Sequence, residues 1–429
     1  LRIEWWAIAA AISVVIVLAL VTSLTRPLDV LLYDRIAPLR AAPADHRILL
    51  VEIDDFSLSQ LGRWPWPRAI QAKALARMIA AGPAAIGYDV LLVEPAPGDE
   101  AFAAAMQGAP VLLPVLPPEA GNASEPPPEA IARQAAGLGQ VELDYDGDGL
   151  VRTARIGPDT LAELIGRTLT GDNSRAVARG WHQALIPWRP TGSFRSVPYA
   201  SILAGEVPDT FLKDHILLVG ATAPGLGDLH PVPASAGGRM SGVEIQANIL
   251  NGLLADRLIR LAPNWACIGL SLIPAWLMMM GFWYAGSRLR LAIAIGLLLA
   301  IVAAAIGALV IGGLWIRPAP ALLGLALTYP LWSWRRLDAI NRFLQAELLG
   351  LRTEPGLVVP PLPTSRLGDS IGQQTMELHA VIGALRSAMH EQERTLQFLS
   401  HDMRAPQAAI LTLLESSTPT SLDAGLADR

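Results

Sequence analysis

His401 stands in the string Phe398-Leu-Ser-His-Asp-Met-Arg-Ala-Pro406, at the end of a run in which Leu378, Ile382, Leu385, Met389, Gln392, Leu396, Leu399 and Met403 alternate by four and three. That spacing predicts a coiled-coil seam. In the same register His401 takes the f position, the outermost point of the helix, where a ring has no packing role. A neutral imidazole nitrogen can attack an electrophilic phosphorus such as the γ-phosphorus of ATP, and histidine, with a reference pKa of about 6.5, is largely neutral at pH 7. Asp402, its neighbour, can orient the ring or accept its proton. Pro406 removes a backbone donor and bends the helix one turn later. The bland alternative is a solvated histidine on a stalk, which is how His379 and His390, without such flanking residues, are read.

A second group of chemistry-bearing residues lies far upstream. Asp54, Asp55 and Asp89 sit at or near the ends of two apolar strands, HRILLVEID (46–54) and AAIGYDV (84–90), while Trp64, Trp66 and Arg68 lie on the turn GRWPWPR. Ligands of open α/β sheets bind beyond the carboxyl ends of the strands. Asp54, Asp55, Trp64, Arg68 and Asp89 are therefore candidate ligand contacts in a pocket of acids, a cation and aromatic walls. The same residues also have structural uses: an Asp after a strand caps the next helix, Arg68 pairs with an acid, and Trp beside Pro packs as a lid.

Asp144 to Gly149 reads D-Y-D-G-D-G, like the opening of an EF-hand loop, but loop position twelve, which needs a bidentate Glu, is Arg155. A tight Asp-Gly hairpin joining 140–143 to 151–156 is the expectation. Asp228-x-His230 has no third ligand nearby. The single Cys267 excludes a disulfide within the chain and a cysteine-based metal cluster, so no metal is expected. Asn122-Ala-Ser124 fits a glycosylation sequon within the proline-rich stretch.

These groups need elements to hold them. The chain has 429 residues, 52% hydrophobic and only 17% charged, with a mean hydropathy of +0.39, so an ordinary soluble enzyme is not indicated. Its net charge, 33 − 38 = −5, is too mild for a nucleic-acid binder. Four apolar runs approach or exceed the roughly 20 residues that cross a bilayer: 5–24, 264–286, 291–316 and 318–334. The first is too long for a cleaved signal peptide, so it is expected to remain as an anchor. Arg288 and Arg290, then Arg335, Arg336 and Arg342, mark two segments as cytoplasmic, and Arg317 is the exception that can snorkel. The N-terminus then lies inside and residues 25–263 outside. The spans hold no acidic residue, histidine or charge pair of the kind that forms a transport pathway.

Between the first two spans, apolar strands at 46–54, 84–90, 111–116 and 215–220 alternate with helices at RAIQAKALARMIAAG and 243–254, which predicts a mostly parallel α/β sheet. The stretch 114–128, with six prolines, is expected to be a surface loop.

The strings VEIDDFSLSQLGRWPWPRAIQAKALARMIAAGPAAIGYDVLLVEP, DYDGDGLVR, HILLVGATAPGLGDLHPVP and SGVEIQANILNGLL resemble, in order, the second class of CHASE domain, the cyclase and histidine-kinase associated extracellular sensor. The resemblance covers most of 28–255 and implies a sensor followed by three membrane spans. It supplies no ligand, and it is compatible with histidine-kinase, cyclase and serine/threonine-kinase outputs. The string FLSHDMRAP in turn resembles the H-box of a histidine-kinase dimerisation and phosphoacceptor domain, which implies His401 as phosphoacceptor. One departure is Ala405, where many such kinases carry Thr, Asn or Ser; this puts phosphatase activity through that position in doubt. The other is that no ATP-binding segment follows before Arg429, so a truncated sequence of a larger kinase is expected.

The resulting organisation is an N-terminal transmembrane anchor (1–24), an extracytoplasmic sensor domain (25–263), three transmembrane helices (264–334), a cytoplasmic linker (335–377) and a partial phosphoacceptor domain (378–429). The expected protein is a multi-pass bacterial inner-membrane receptor, homodimeric, in contact with lipid. It takes an unknown extracytoplasmic signal and passes a phosphoryl group to a response regulator. ATP and Mg²⁺ would act through a domain absent from this chain, and no nucleic acid is involved. The rival readings are a non-catalytic receptor or scaffold and, behind it, a cyclase output.

Overall fold

The computed structural model describes residues 2–115, 125–171, 182–233, 236–284, 287–352, 379–380, 382–383, 386–387, 389–398 and 410. Two compact units divide the chain, Arg2–Tyr329 and a second that holds Pro330–Arg429.

In the first unit the described strands are, in chain order, β1 (Ile48–Ile53), β2 (Ala85–Asp89), β3 (Val111–Val115), β4 (Gly137–Gln140), β5 (Asp144–Tyr145), β6 (Val151–Arg155), β7 (Gln183–Leu185), β8 (Arg195–Pro198), β9 (Ile216–Ala221), β10 (Leu229–Pro231), β11 (Arg239–Ser241), β12 (Arg260–Leu261) and β13 (Leu314–Trp315). Six of them form one parallel sheet, ordered β4-β3-β2-β9-β1-β8. Successive side chains of a strand point to opposite faces, and the sequence of β1 uses both. Ile48 and Leu50 enter one core while Leu49, Val51 and Ile53 enter the other, and Ile216/Leu218 against Leu217/Val219 repeat the division on β9. A strand buried on both faces has no polar side to alternate with, hence the continuous apolar runs.

The helices Leu161–Thr170 and Gly242–Leu254 cover the first face, and Arg68–Ala80, Asp99–Ala105 and Tyr199–Ala204 cover the second. The expected α/β architecture with a mostly parallel sheet is thus present.

The expected hairpin is corrected. Asp144–Tyr145, not 140–143, pairs antiparallel with β6, and Gly137–Gln140 pairs in parallel with β3 instead. Gly139 explains the choice: a Cβ there would lie 2.5 Å from Leu161 Cα, so only glycine lets this edge strand run beneath the Leu161–Thr170 helix. Pro114, expected in a loop, lies within β3 opposite Gly139. The remainder of the proline-rich stretch up to residue 124, including the Asn122 sequon, lies outside the described residues.

Three described helical segments are long and apolar enough to cross a membrane by length and composition, Ile3–Val21, Asn264–Phe282 and Leu289–Val310. Trp5 donates its indole N–H to the Met279 carbonyl at 3.0 Å, and Trp276 donates to Ser13 Oγ at 3.2 Å, so the first two pack together. The fourth expected run falls inside a longer helix, Ala319–Arg352. Tyr33, Ile36, Leu185, Ile259, Leu309 and Trp315 form a separate small core that joins the Arg26–Ile36 helix to β7, β13 and the Ser287–Val310 helix.

In the second unit, Asp338 pairs with Arg335 and Arg342 at 3.0 and 2.7 Å along the helix. Residues 389–398 are helical and exposed.

Candidate ligand-binding site

A cavity of about 590 Å³ opens at the carboxyl ends of β2 and β9. Its walls come from several parts of the domain: Trp64 and Arg68 from the turn and helix after β1, Asp89 and Leu91 from the end of β2, Leu143 and Tyr145 from the hairpin. Asp228 and His230 enter from the loop after β9, and Gln246 from the Gly242–Leu254 helix. Of the five sequence-predicted contacts, the structure brings together Trp64, Arg68 and Asp89. Asp54 is elsewhere: it is the N-cap of the Asp55–Leu61 helix and accepts the Ser57 N–H at 2.8 Å. Asp55 lies exposed in the first turn of that helix, where its charge complements the helix dipole.

The three residues differ in how they are held. Arg68 is paired with Asp99 at 3.0 Å, with both side chains nearly buried. Asp99 is fixed in turn by the Ala96 N–H at 2.8 Å. Trp64 packs edge-on against Trp66, which is buried over Tyr199. Asp89 has no hydrogen bond among the described residues. Burial, reinforced by the negative charge of Asp228 and opposed by His230, pushes its carboxyl up to about 7.

Sequence reasoning missed the mouth of the site. His230 Nε2 meets Asp228 Oδ1 at 2.9 Å, and its Nδ1 meets the Tyr145 hydroxyl at 2.7 Å. In the tautomer with its N–H on Nε2, the ring donates to Asp228 and accepts at Nδ1 from the Tyr145 hydroxyl. Asp228 lies against Gly242, where a Cβ would come within 2.7 Å of both of its oxygens. Its charge thereby faces the N-terminus of the Gly242–Leu254 helix. The short spacing Asp228-x-His230 was the only sequence signal for this chain, because Tyr145 is 85 residues away.

The hairpin that supplies Tyr145 also holds an ion cluster. The Arg152 guanidinium, 2% exposed, binds Asp34 at 2.9 Å, Asp146 at 2.9 Å and Asp148 at 2.8 Å, and Asp146 also meets Arg26 at 3.0 Å. The carboxylates that resembled a calcium loop thus close around a guanidinium, while Asp144 accepts from Gln183 at 3.1 Å. Asp34 and Arg26 belong to the Arg26–Ile36 helix, which follows the apolar Arg2–Val21 helix, so the cluster ties the domain to the chain segment next to that helix.

His401, Asp402 and the seam residues Leu378, Leu385, Leu399 and Met403 lie outside the described residues. Ile382, Met389 and Leu396, at intervals of seven, are described and exposed. Residues 10–287 match the family model of the CHASE2 domain. No curated protein and no solved structure matches the chain.

Proposed function

Because the chain belongs to the CHASE2 domain family, whose model matches it over residues 10–287, we propose that it is the sensing and phosphoaccepting part of a transmembrane two-component receptor. The CHASE2 match is the observation that carries this reading, since a domain of this family supports a role in extracytoplasmic sensing for a signalling receptor. In the proposed topology the Arg2–Val21 helix anchors the N-terminus, 25–263 lie in the periplasm, and three further spans return the chain to the cytoplasm. The arginines at 288, 290, 335, 336 and 342 support that orientation through the positive-inside bias.

The output in this proposal is autophosphorylation of His401 by an ATP-binding domain outside these residues, with Asp402 orienting the ring, followed by transfer to a response-regulator aspartate. Its supports are the string FLSHDMRAP and the exposed seam positions Ile382, Met389 and Leu396, an apolar stripe that a second copy of the helix would cover. Pairing of this kind makes the receptor a homodimer. A signal would act by binding two arrangements of the receptor unequally.

The test is trans-phosphorylation of the chain and its His401→Ala variant in nanodiscs by a separately supplied ATP-binding domain. Acid-labile, base-stable label lost in the variant is the expected result. Absence of label from a folded dimer, with an ATP-binding domain active on another substrate, would move the assignment to a non-catalytic receptor.

A further inference from the structure

Building on the sensor reading of this domain, we propose that the cavity at the ends of β2 and β9 binds an organic primary amine, with the ammonium held by Asp89, Asp228 and Gln246 and an apolar body lying along Trp64, Leu91 and Leu143. A volume of about 590 Å³ is in the range of small-molecule sites. The walls are divided about evenly between apolar and polar surface, so the polar groups identify the ligand class.

Each charge in the cavity except one is already answered by the protein. Arg68 is neutralised by Asp99, and Asp228 is bonded to His230 and faces a helix N-terminus. Asp89 has neither hydrogen bond nor ion pair among the described residues, and Asp228 repels it. Gln246 lines the same cavity, is 6% exposed and also has no hydrogen-bond partner among the described residues. Two polar side chains, the buried Gln246 and the half-buried Asp89, thus line a space that only a ligand or water fills, and leaving such groups unsatisfied is costly.

The missing partner must be positive and must donate. An ammonium group carries three N–H donors and no acceptor, matching the Asp89 carboxylate, the Asp228 oxygen that His230 leaves open and the Gln246 amide oxygen. An anion is disfavoured because the helix N-terminus that would attract it is occupied by the carboxylate of Asp228, and Arg68 is paired. A bare metal ion is disfavoured because no group of three His, Cys, Asp or Glu among the described residues is arranged to hold one.

The test uses two matched sets on the full chain in detergent, followed by calorimetry: 2-phenylethylamine, 2-phenylethanol and 3-phenylpropionate, and hexylamine, hexanol and hexanoate. In at least one set the amine is expected to bind at least tenfold more tightly than its alcohol and carboxylate counterparts. Asp89→Asn should lower amine affinity at least tenfold while leaving the alcohol unchanged. Gln246→Leu gives an independent reading at a neutral position should the first variant fail to fold. The proposal is overturned if neither amine binds the folded protein, if no set prefers the amine, or if both variants bind it as tightly as the parent. Binding is read without phosphoryl transfer, so failure here leaves the His401 experiment standing, and failure there leaves amine binding measurable.

Discussion

Replacing Asp89 by asparagine in the ligand-free protein should make it more stable, and by an amount that depends on pH. The carboxyl is raised from 3.8 to about 7 by burial and by Asp228. A folded-state pKa above the unfolded value means that the folded chain holds this proton more tightly. Ionisation therefore costs stability above pH 7; the cost shrinks as pH falls through 7 and is gone below the unfolded value. Between pH 8 and pH 5 the folded carboxyl gains its proton while the unfolded one, with a pKa near 4, remains mostly ionised. The difference amounts to about two powers of ten, or about 3 kcal/mol. Asp89 is only half-buried, so solvent screening reduces this to roughly 1–2 kcal/mol. In a domain of this size that corresponds to about 5 °C in Tm. The assay is thermal unfolding of both proteins in detergent at the two pH values, comparing variant with parent at each. His230, Arg68 and Asp228 face the same carboxyl and are common to both proteins, as are Asp45 and Asp148, whose lowered pKa values give stability that is lost toward acid. Their contributions largely cancel in the difference. A variant that is less stable than the parent at pH 8, or a gap that does not widen from pH 5 to pH 8, would refute the reasoning.

Arg152→Met should destabilise the domain by about 3 kcal/mol or more, since it strands carboxylates around a site that is 2% exposed; Arg152→Lys should recover part of this in the same unfolding assay. Gly139→Ala should cost roughly 1–3 kcal/mol because the methyl meets the backbone of Leu161, read by denaturant unfolding. Asp54→Ala should cost about 1 kcal/mol through the lost cap on Ser57 and leave amine binding unchanged, a combination that calorimetry and melting check together.

The sheet was legible where the chemistry is local. β1, β2 and β9 announce themselves because a strand covered on both faces must be apolar throughout, and Gly82, with φ +73°, closes the Arg68–Ala80 helix as its position suggests. The short β8 and β4 carry no such run: Arg195–Pro198 is half exposed, and β4 is admitted by a glycine rather than by hydrophobic pattern. The site was readable in the same measure. Trp64, Arg68 and Asp89 follow from the rule that ligands gather at strand ends, whereas Asp54 satisfies an identical pattern and serves as a cap. Only the direction of its side chain, toward Ser57 N, separates the two uses. His230 and Tyr145 meet across 85 residues, a juxtaposition set by strand order and invisible to spacing. Arg152 looked like one strand residue among others, and only its burial reveals that it takes the place of a cation among the aspartates.

Tyr145 and Asp146 are consecutive, yet they belong to different neighbourhoods: one hydroxyl closes the cavity at His230, and the next side chain grips Arg152 of β6 and Arg26 of the Arg26–Ile36 helix. The turn between them and β6 has little slack, being closed by Asp146 N–H to the Leu150 carbonyl at 2.9 Å and Gly149 N–H to the Asp146 carbonyl at 2.8 Å. This divides the cavity wall into two evolutionary classes. Leu91 is exposed and packs against neither core, so it can be exchanged to admit a different ligand at little structural cost. A change at Tyr145 acts on the cavity and, through this tight turn, on the Asp146–Arg152 ion cluster, so one position joins the binding wall to the helix that precedes the domain.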